Sequence, residues 1–176
     1  MILPLFSRAR RVDTISTLYG MIVAHARSPS FYRDYGVPDT VDGRLDLIML
    51  HLALLLHRLE QDGEAARRLG QRIFDLFCQD MDRNLREIGI GDLKIPDEMR
   101  RIGAAFYGRA RAYEAALAQP NDNLLIEVAT RNLYGSAPGA QFGGRRAVAY
   151  IRKAAEGLAR QETAAITRGE LSFPQP

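Results

Sequence analysis

Residues 44–63, RLDLIMLHLALLLHRLEQDG, are apolar on almost every side of a helix. Its longest runs without a charged residue or a histidine cover residues 47–50 and 52–56, far short of the ~20 apolar residues that span a bilayer. A helix that is apolar on most faces is usually the buried centre of a bundle. The stretch therefore predicts a central helix over about residues 45–61, with other helices packed around it.

The flanking segments repeat their apolar residues with the period of an α-helix, and none shows the alternation of a β-strand. Glycine and proline separate these segments. The expected helices cover roughly residues 13–26, 28–36, 45–61, 64–88, 96–118, 123–134 and 145–167, and residues 135–144 (GSAPGAQFGG) form a loop. We therefore predict an all-α protein, a single-domain bundle of about six to seven helices.

The length of 176 residues suits one domain. We expect this domain to cover residues 13–168, between a flexible basic segment at residues 1–12 and a loose tail at residues 169–176. Cys78 is the only cysteine, so the chain forms no internal disulfide and has no zinc site built from cysteines. The arginines of the first twelve residues follow the apolar residues, which is the wrong order for a secretory signal.

The charges are unevenly distributed along the chain, although the formal net charge is only +3. Residues 28–99 carry fourteen acidic and nine basic residues, whereas residues 100–176 carry eleven basic and six acidic residues. Residues 1–27 add four basic residues and one acidic residue. Basic ends beside an acidic middle favour an anionic partner, such as lipid head groups, RNA or an acidic protein, although a solvated surface produces the same pattern.

Residues 80–92, DMDRNLREIGIGD, begin like a calcium-binding EF-hand loop. Such a loop needs glycine at its sixth position and glutamate at its twelfth, where this sequence has Leu85 and Gly91. We interpret the stretch as the last turns of a helix, with Gly89 in a left-handed cap and Ile90 folded back on the final turn. No calcium site is expected here.

Motifs of nucleotide-binding proteins and metalloenzymes fail in a similar way. Residues 139–146, GAQFGGRR, have the glycine spacing of a phosphate-binding loop, but arginines occupy the places of its lysine and of its serine or threonine. His51 and His57 are separated by about 240° around a helix and cannot share a metal from one face. These histidines and His25 are each expected to be satisfied by a neighbouring group. The sequence therefore predicts no enzyme, no metal site and no cofactor.

Residues 18–59, 74–99 and 105–117 together resemble the ubiquinol–cytochrome c chaperone family. The most specific parts are the phrase D-M-D-x-N-L-R-E-x-G-I-G-D and, further along the chain, the phrase F-Y-G-R-x-x-A-Y. The resemblance implies an assembly factor for the respiratory cytochrome bc1 complex, which would bind newly made cytochrome b or a bc1 assembly intermediate. It implies no catalytic residue and no cofactor.

The resemblance also implies a location. A chain of this length without a presequence resembles a bacterial member of the family, which implies a cytoplasmic protein, peripheral at the inner face of the inner membrane. The basic ends favour contact with anionic lipid or with the ribosome. Whether a second small assembly factor is a partner stays open, and no DNA partner is expected.

The family phrases supply the candidate partner-binding residues. They are Asp80, Arg86, Asp92, Tyr107 and Arg109. These side chains either form a client surface or stabilise the bundle, with Arg86 and Arg109 paired to Asp80 or Asp92. A motif match alone does not decide between the two roles.

Two further hypotheses use other features of the sequence. A basic helical module that binds RNA or the ribosome would use arginines in the second half of the chain: Arg100, Arg101, Arg109, Arg111, Arg145, Arg146 and Arg152. The affinity of such a module would fall steeply with salt. A small helical enzyme would instead need a polar pocket with perturbed titratable groups.

Overall fold

Helices account for almost all of the regular structure. The computed structural model describes the backbone of residues 4–176 and the side chains of residues 14–176. Its α-helices are α1 (Pro4–Ala26), α2 (Pro29–Arg33), α3 (Val41–Glu60), α4 (Gly63–Glu87), α5 (Ile95–Leu117), α6 (Asn123–Ala129), α7 (Ala140–Arg160) and α8 (Thr163–Thr167). A π-helical turn, Thr130–Tyr134, continues α6 without a break. This part of the chain contains no β-strand, and the predicted all-α fold is confirmed.

The first helix begins before the boundary expected near residue 13. The backbone of residues 4–12 already belongs to α1. The flexibility of residues 1–12 stays a prediction, because the side chains of these residues all lie outside the described part of the chain. The first three of these residues lie outside it entirely.

The central helix is α3, as the sequence predicts. Thr40 precedes it and accepts a hydrogen bond from the Gly43 backbone N–H at 3.1 Å, which satisfies one of the unpaired donors at the helix start. The side chains of Leu47, Leu50 and Leu55 are completely buried. Helices α1, α4, α5 and α7 surround α3 and share one apolar core with it. Along residues 4–176, no helix is both long enough and apolar enough to cross a membrane.

The last predicted helix is two helices, α7 and α8, separated by extended backbone at Gln161. Helix α7 also begins within the predicted loop, and two glycines of that loop, Gly143 and Gly144, lie in close contact with the preceding helical turn. A Cβ on Gly143 would collide with the ring of Tyr134, and a Cβ on Gly144 would collide with the hydroxyl of Thr130. Glycine at these positions therefore lets α7 approach the π-helical turn, a contact between helices that sequence periodicity does not reveal.

The C-terminal tail, residues 169–176, packs on the domain, which corrects the expectation of a loose tail. Leu171 is buried. The side-chain amide of Gln161 donates to the carbonyl of Ser172 and accepts from the Ser172 backbone N–H, each at 2.9 Å. The ring of Phe173 stacks on His25 of α1, with 5.1 Å between ring centroids. The two apolar residues of the tail thus complete the core, which fixes the chain end in place.

A buried hydrogen-bond network joins α1, α3 and α7. His51 is fully buried, and its Nδ1 donates to the carbonyl oxygen of Leu47 at 2.7 Å. Its Nε2 is then the acceptor for the hydroxyl of Tyr150 at 2.6 Å, and that hydroxyl accepts from Nε2 of His25 at 2.8 Å. Burial lowers the pKa of His51 to about 3, so the ring stays neutral. The expectation of a neighbouring partner is confirmed for His25 and His51, and Nε2 of His57 lies 3.1 Å from the side-chain amide nitrogen of Gln61.

Candidate functional site

All five candidate partner-binding residues lie on the hairpin formed by α4 and α5. Asp80 and Arg86 are on α4, Tyr107 and Arg109 are on α5, and Asp92 is in the connection between the two helices. The two helices pack against each other and against α3. Within this shared frame the five side chains make different contacts, so each is described in turn.

The end of α4 has the glycine cap that the sequence predicts. Gly89 has a φ of 86°, and its N–H donates to the carbonyl of Arg86 at 3.0 Å. The N–H of Ile90 donates to the carbonyl of Leu85, also at 3.0 Å. These two bonds form a Schellman motif, which confirms that residues 80–92 are a helix end. Among the described side chains, no cluster of three or more His, Cys, Asp or Glu residues is placed to hold a metal ion.

Arg86 stabilises the exit from α4 through two carboxylates. Its Nε donates to Asp82, one turn earlier on the helix, at 2.7 Å, and its Nη1 donates to Asp92 at 2.6 Å. The hydrogen bond from Arg86 lowers the pKa of Asp82. All three side chains lie at the surface. The expected pairing of Arg86 with Asp92 is confirmed, and the charged group remains in reach of a partner.

Asp80 links α4 to α1. Its Oδ2 accepts from the hydroxyl of Tyr19 at 2.9 Å, and its Oδ1 accepts from Arg83 at 2.7 Å. Burial raises the pKa of the Tyr19 phenol and the neighbouring carboxylate raises it further, so this hydroxyl remains a donor. Asp80 thus pairs with neither Arg86 nor Arg109: one of its oxygens links α4 to α1, and the other accepts from Arg83 of the same helix.

Arg109 pairs with Asp46 of α3, a residue outside the predicted set. Its Nη2 donates to Asp46 Oδ1 at 2.8 Å, and the two side chains are only 27% and 17% exposed. Burial raises the pKa of Asp46, and Arg109 opposes this shift. The expected pairing of Arg109 with Asp80 or Asp92 is therefore wrong. The sequence signal for the real partner is that Asp46 is the one acidic residue within the apolar stretch of residues 45–59.

Tyr107 is the exposed aromatic residue of the hairpin, with 52% of its surface accessible. Its ring packs against Phe74 of α4, with 5.4 Å between ring centroids, and against Phe106, with 5.7 Å. The next residue, Gly108, adds no side chain, and a Cβ there would meet nothing within 4 Å. One side of the Tyr107 ring is thus held by the core, and the other side is open to a partner.

The structure does not bring Arg86 and Tyr107 together. Tyr107 lies beside Phe74, and a separation of twelve residues along α4, from Phe74 to Arg86, corresponds to about 18 Å. Ile88 and Leu93 lie in the connection after Arg86 and are 73% and 95% exposed. The hairpin therefore presents two separate apolar features: Tyr107 on its flank, and a tip formed by Ile88 and Leu93.

Most arginines of the RNA-binding hypothesis are engaged within the protein. Carboxylates pair with four of them, and a backbone carbonyl accepts from the fifth. The engaged residues are Arg100, Arg101, Arg109, Arg152 and, at the carbonyl, Arg146. Arg111 and Arg145 form no ion pair with any described residue. Arg109, Arg146 and Arg152 hold distant parts of the chain together, and a nucleic acid would have to break those contacts to use them. The surface pairs of Arg100 and Arg101 are no such obstacle.

Comparisons with known proteins agree with the fold and with the motif. The sequence model of the ubiquinol-cytochrome C chaperone family matches residues 33–173. The chain is 23% identical over 136 residues to ubiquinol-cytochrome-c reductase complex assembly factor 1 of Xenopus laevis, which covers 77% of this chain and 68% of that protein. The crystal structure of the Cbp3 homolog from Brucella abortus has a TM-score of 0.85 and 36% identity, covering 99% of this chain and 97% of that chain. The chain therefore belongs to the ubiquinol-cytochrome C chaperone family.

Proposed function

We propose that the chain is an assembly factor for the respiratory cytochrome bc1 complex, which binds newly made cytochrome b without nucleotide hydrolysis. The observation that carries this proposal is the family match over residues 33–173. A relative named as an assembly factor for the ubiquinol-cytochrome-c reductase complex supports the same role. The family is one of chaperones, so the proposed activity is binding and release rather than catalysis.

The α4–α5 hairpin is the surface that we assign to the client. A membrane protein that has not yet inserted exposes apolar segments, and exposed apolar side chains on a chaperone can cover them. Tyr107 on the flank and Ile88 and Leu93 at the tip supply such side chains. Arg86, with its two carboxylate partners, forms a charged rim beside the tip. Asp80 and Arg109 act indirectly, because their polar groups fix α4 and α5 to the neighbouring helices.

The proposed place of action is the cytoplasmic face of the inner membrane, where the protein is peripheral. An assembly factor that meets its client during synthesis must work close to both the ribosome and the bilayer. The excess of basic residues over residues 100–176 favours contact with anionic surfaces. A second small assembly factor is a further proposed partner, because a client with several exposed segments can be bound by more than one protein.

Site-specific photo-crosslinking tests the client surface. A photoreactive amino acid at position 107, in cells that make the bc1 complex, is expected to capture cytochrome b. The matched control places the same group at position 142, because Phe142 is also a highly exposed aromatic residue but lies on α7. Equal capture from both positions would show that the hairpin is not the client surface.

Deletion of the gene tests the function itself. We expect the deletion to lower the amount of assembled bc1 complex and of spectroscopically visible cytochrome b. Re-expression of the unaltered chain should restore both, whereas Tyr107→Ser combined with Leu93→Ser should restore them only in part. Normal levels of bc1 complex in the deletion strain would contradict the assembly role.

A further inference from the structure

An open cleft lies where the end of α1, helix α2 and the start of α3 meet, and no residue of the α4–α5 hairpin lines it. Its volume is about 530 Å³, which is large enough for a small polar ligand. The lining residues are Arg27, Pro29, Tyr32, Arg33, Asp39 and Arg44. Three guanidinium groups thus face one carboxylate in a concave site, so the lining carries an excess of positive charge.

The three arginines are engaged to different degrees. Arg33 donates to its neighbour Asp34 at 2.7 Å, and Arg44 donates to Asp39 at 2.7 Å, but all four side chains are at least half exposed. Exposed pairs of this kind contribute little to stability and exchange partners readily. Arg27 forms no ion pair with any described residue. The cleft therefore offers one guanidinium that is free within the described part of the chain, and two that can turn toward an incoming anion.

Tyr32 lines the cleft, but its hydroxyl already has a partner within the protein. Its hydroxyl donates to the carbonyl of Ala26 at 2.9 Å, which ties α2 to the end of α1. Burial raises the pKa of this hydroxyl, Arg44 lowers it, Asp39 raises it and Arg27 lowers it. Tyr32 thus holds α2 against the end of α1 and lines the same cleft as the charged side chains.

We propose that this cleft binds the phosphate of an anionic phospholipid headgroup and so anchors the chain at the membrane surface. Guanidinium groups bind phosphate oxygens through paired N–H donors, which suits a site with three arginines. The proposal rests on the peripheral membrane location proposed above, and it names the part of the protein that faces the lipid.

Two observations favour a lipid headgroup over a nucleic acid. Val41 lies one turn before Arg44 on α3 and is 83% exposed, so an apolar side chain stands beside the cationic site and can enter the bilayer interface. Pro29 adds a second apolar group at the lining itself. A single-stranded nucleic acid would instead favour an open groove with free aromatic faces, whereas Tyr32 is partly buried and already hydrogen-bonded.

Vesicle flotation of the purified full chain tests the proposal. The wild-type chain is expected to bind vesicles of phosphatidylcholine mixed with phosphatidylglycerol, and to bind vesicles of phosphatidylcholine alone much more weakly. Arg27→Glu is expected to weaken binding to the anionic vesicles by about 30-fold, because it removes one attraction and adds one repulsion. Arg27→Lys should retain most of the binding. Val41→Ser should weaken vesicle binding without changing the affinity for glycerol phosphate.

Arg67→Glu is the matched control for the charge reversal. Arg67 is exposed, forms no ion pair with any described residue, and lies early in α4, near the end of α3 opposite to Arg44. The substitution Arg67→Glu makes the same change in net charge as Arg27→Glu, and we expect it to leave vesicle binding within about threefold of the wild type. Because Arg27 is exposed, its variants are expected to fold. Arg44→Gln removes a second positive charge from the cleft and keeps the helix, so it should also weaken binding to the anionic vesicles.

The outcomes distinguish a failure of the proposed lipid-binding cleft from a failure of the proposed membrane location. No preference of the wild type for anionic vesicles would overturn both the cleft and the peripheral membrane location, while client capture from position 107 is tested independently. Equal effects of Arg27→Glu and Arg67→Glu would overturn the cleft alone. Glycerol phosphate or inorganic phosphate binding without vesicle binding would assign the site to a free phosphate compound and overturn the lipid assignment. Tighter binding of a single-stranded RNA than of vesicles, lost in Arg27→Glu, would overturn it as well.

Discussion

Arg109 of α5 and Asp46 of α3 form an ion pair of 2.8 Å in which both side chains are mostly shielded from water. The pair joins the proposed client hairpin to the central helix. Burial raises the pKa of Asp46 even though Arg109 acts in the opposite direction, which indicates that desolvation outweighs the attraction. A pair of this kind adds little net stability over an apolar pair of similar size, but the loss of one partner leaves an uncompensated charge.

We expect Arg109→Met to lower the free energy of unfolding by about 2 kcal/mol, below the range for fully buried pairs because this pair is partly exposed. The double variant Asp46→Leu with Arg109→Met should be more stable than Arg109→Met alone, since no charge is then left without a partner. Urea unfolding of the two single variants and the double variant measures this coupling. Arg86→Met, which removes two exposed surface pairs, is the control and should change stability much less. Strictly additive effects would contradict the prediction.

The His25–Tyr150–His51 network predicts a loss of stability in mild acid. Burial lowers the pKa of His51 to about 3, and burial also lowers the pKa of His25. The unfolded chain therefore binds protons below about pH 6.5 that the folded chain does not bind, so stability falls as the pH falls. His51 alone should account for about 2 kcal/mol between pH 7.5 and pH 5.

Urea unfolding at several pH values between 7.5 and 5 checks this dependence. His51→Gln should reduce the overall stability, because Leu47 and Tyr150 lose a partner, and should also flatten the dependence on pH. His57→Gln is the matched control, since it removes a histidine and leaves the network intact. If wild type and His51→Gln showed the same slope, His51 would not be the group responsible.

The cap of α4 predicts different effects for two neighbouring glycines. Gly89 has a φ of 86°, which strains any residue with a side chain, whereas Gly91 has no positive φ. Neither position has an atom that an added Cβ would meet within 4 Å, so the difference is purely one of backbone conformation. Gly89→Ala should cost about 1 kcal/mol in thermal or urea unfolding, and Gly91→Ala should be close to neutral. Equal costs would show that the cap does not depend on the left-handed conformation.

The docked tail predicts that the C-terminus contributes to stability. Leu171 is buried, and Phe173 stacks on His25 and also contacts His51 edge-on, with 4.9 Å between ring centroids. Leu171→Ala should therefore lower the free energy of unfolding by about 2 kcal/mol. Gln175→Ala, at an exposed position of the same tail, should have no measurable effect. A loose tail would instead make the two substitutions indistinguishable in a thermal melt.

The helical class, the central helix and the end of α4 follow from the sequence, because each depends on residues close together in the chain. The apolar pattern of residues 45–61 is sufficient for a buried helix, since no other arrangement shields all of its faces from water. Gly89 is sufficient for the cap, because only glycine adopts a positive φ without strain. The family phrase at residues 80–92 likewise depends only on the order of residues, and it indicated the family before any contact was known.

The roles of the candidate residues depend on tertiary structure, because a charge finds its partner by three-dimensional proximity. The sequence offered Asp80 and Asp92 as partners for Arg109, but packing of α5 on α3 brings it to Asp46. Tertiary contacts also determine the packing of the first turns of α7 against the ring of Tyr134 and the packing of the C-terminal tail on the apolar core. The sequence alone therefore indicates the helical class, the central helix and the family of the chain. Only the folded chain decided which side chains stay free to meet a partner, since burial and pairing are set by residues far apart in the sequence.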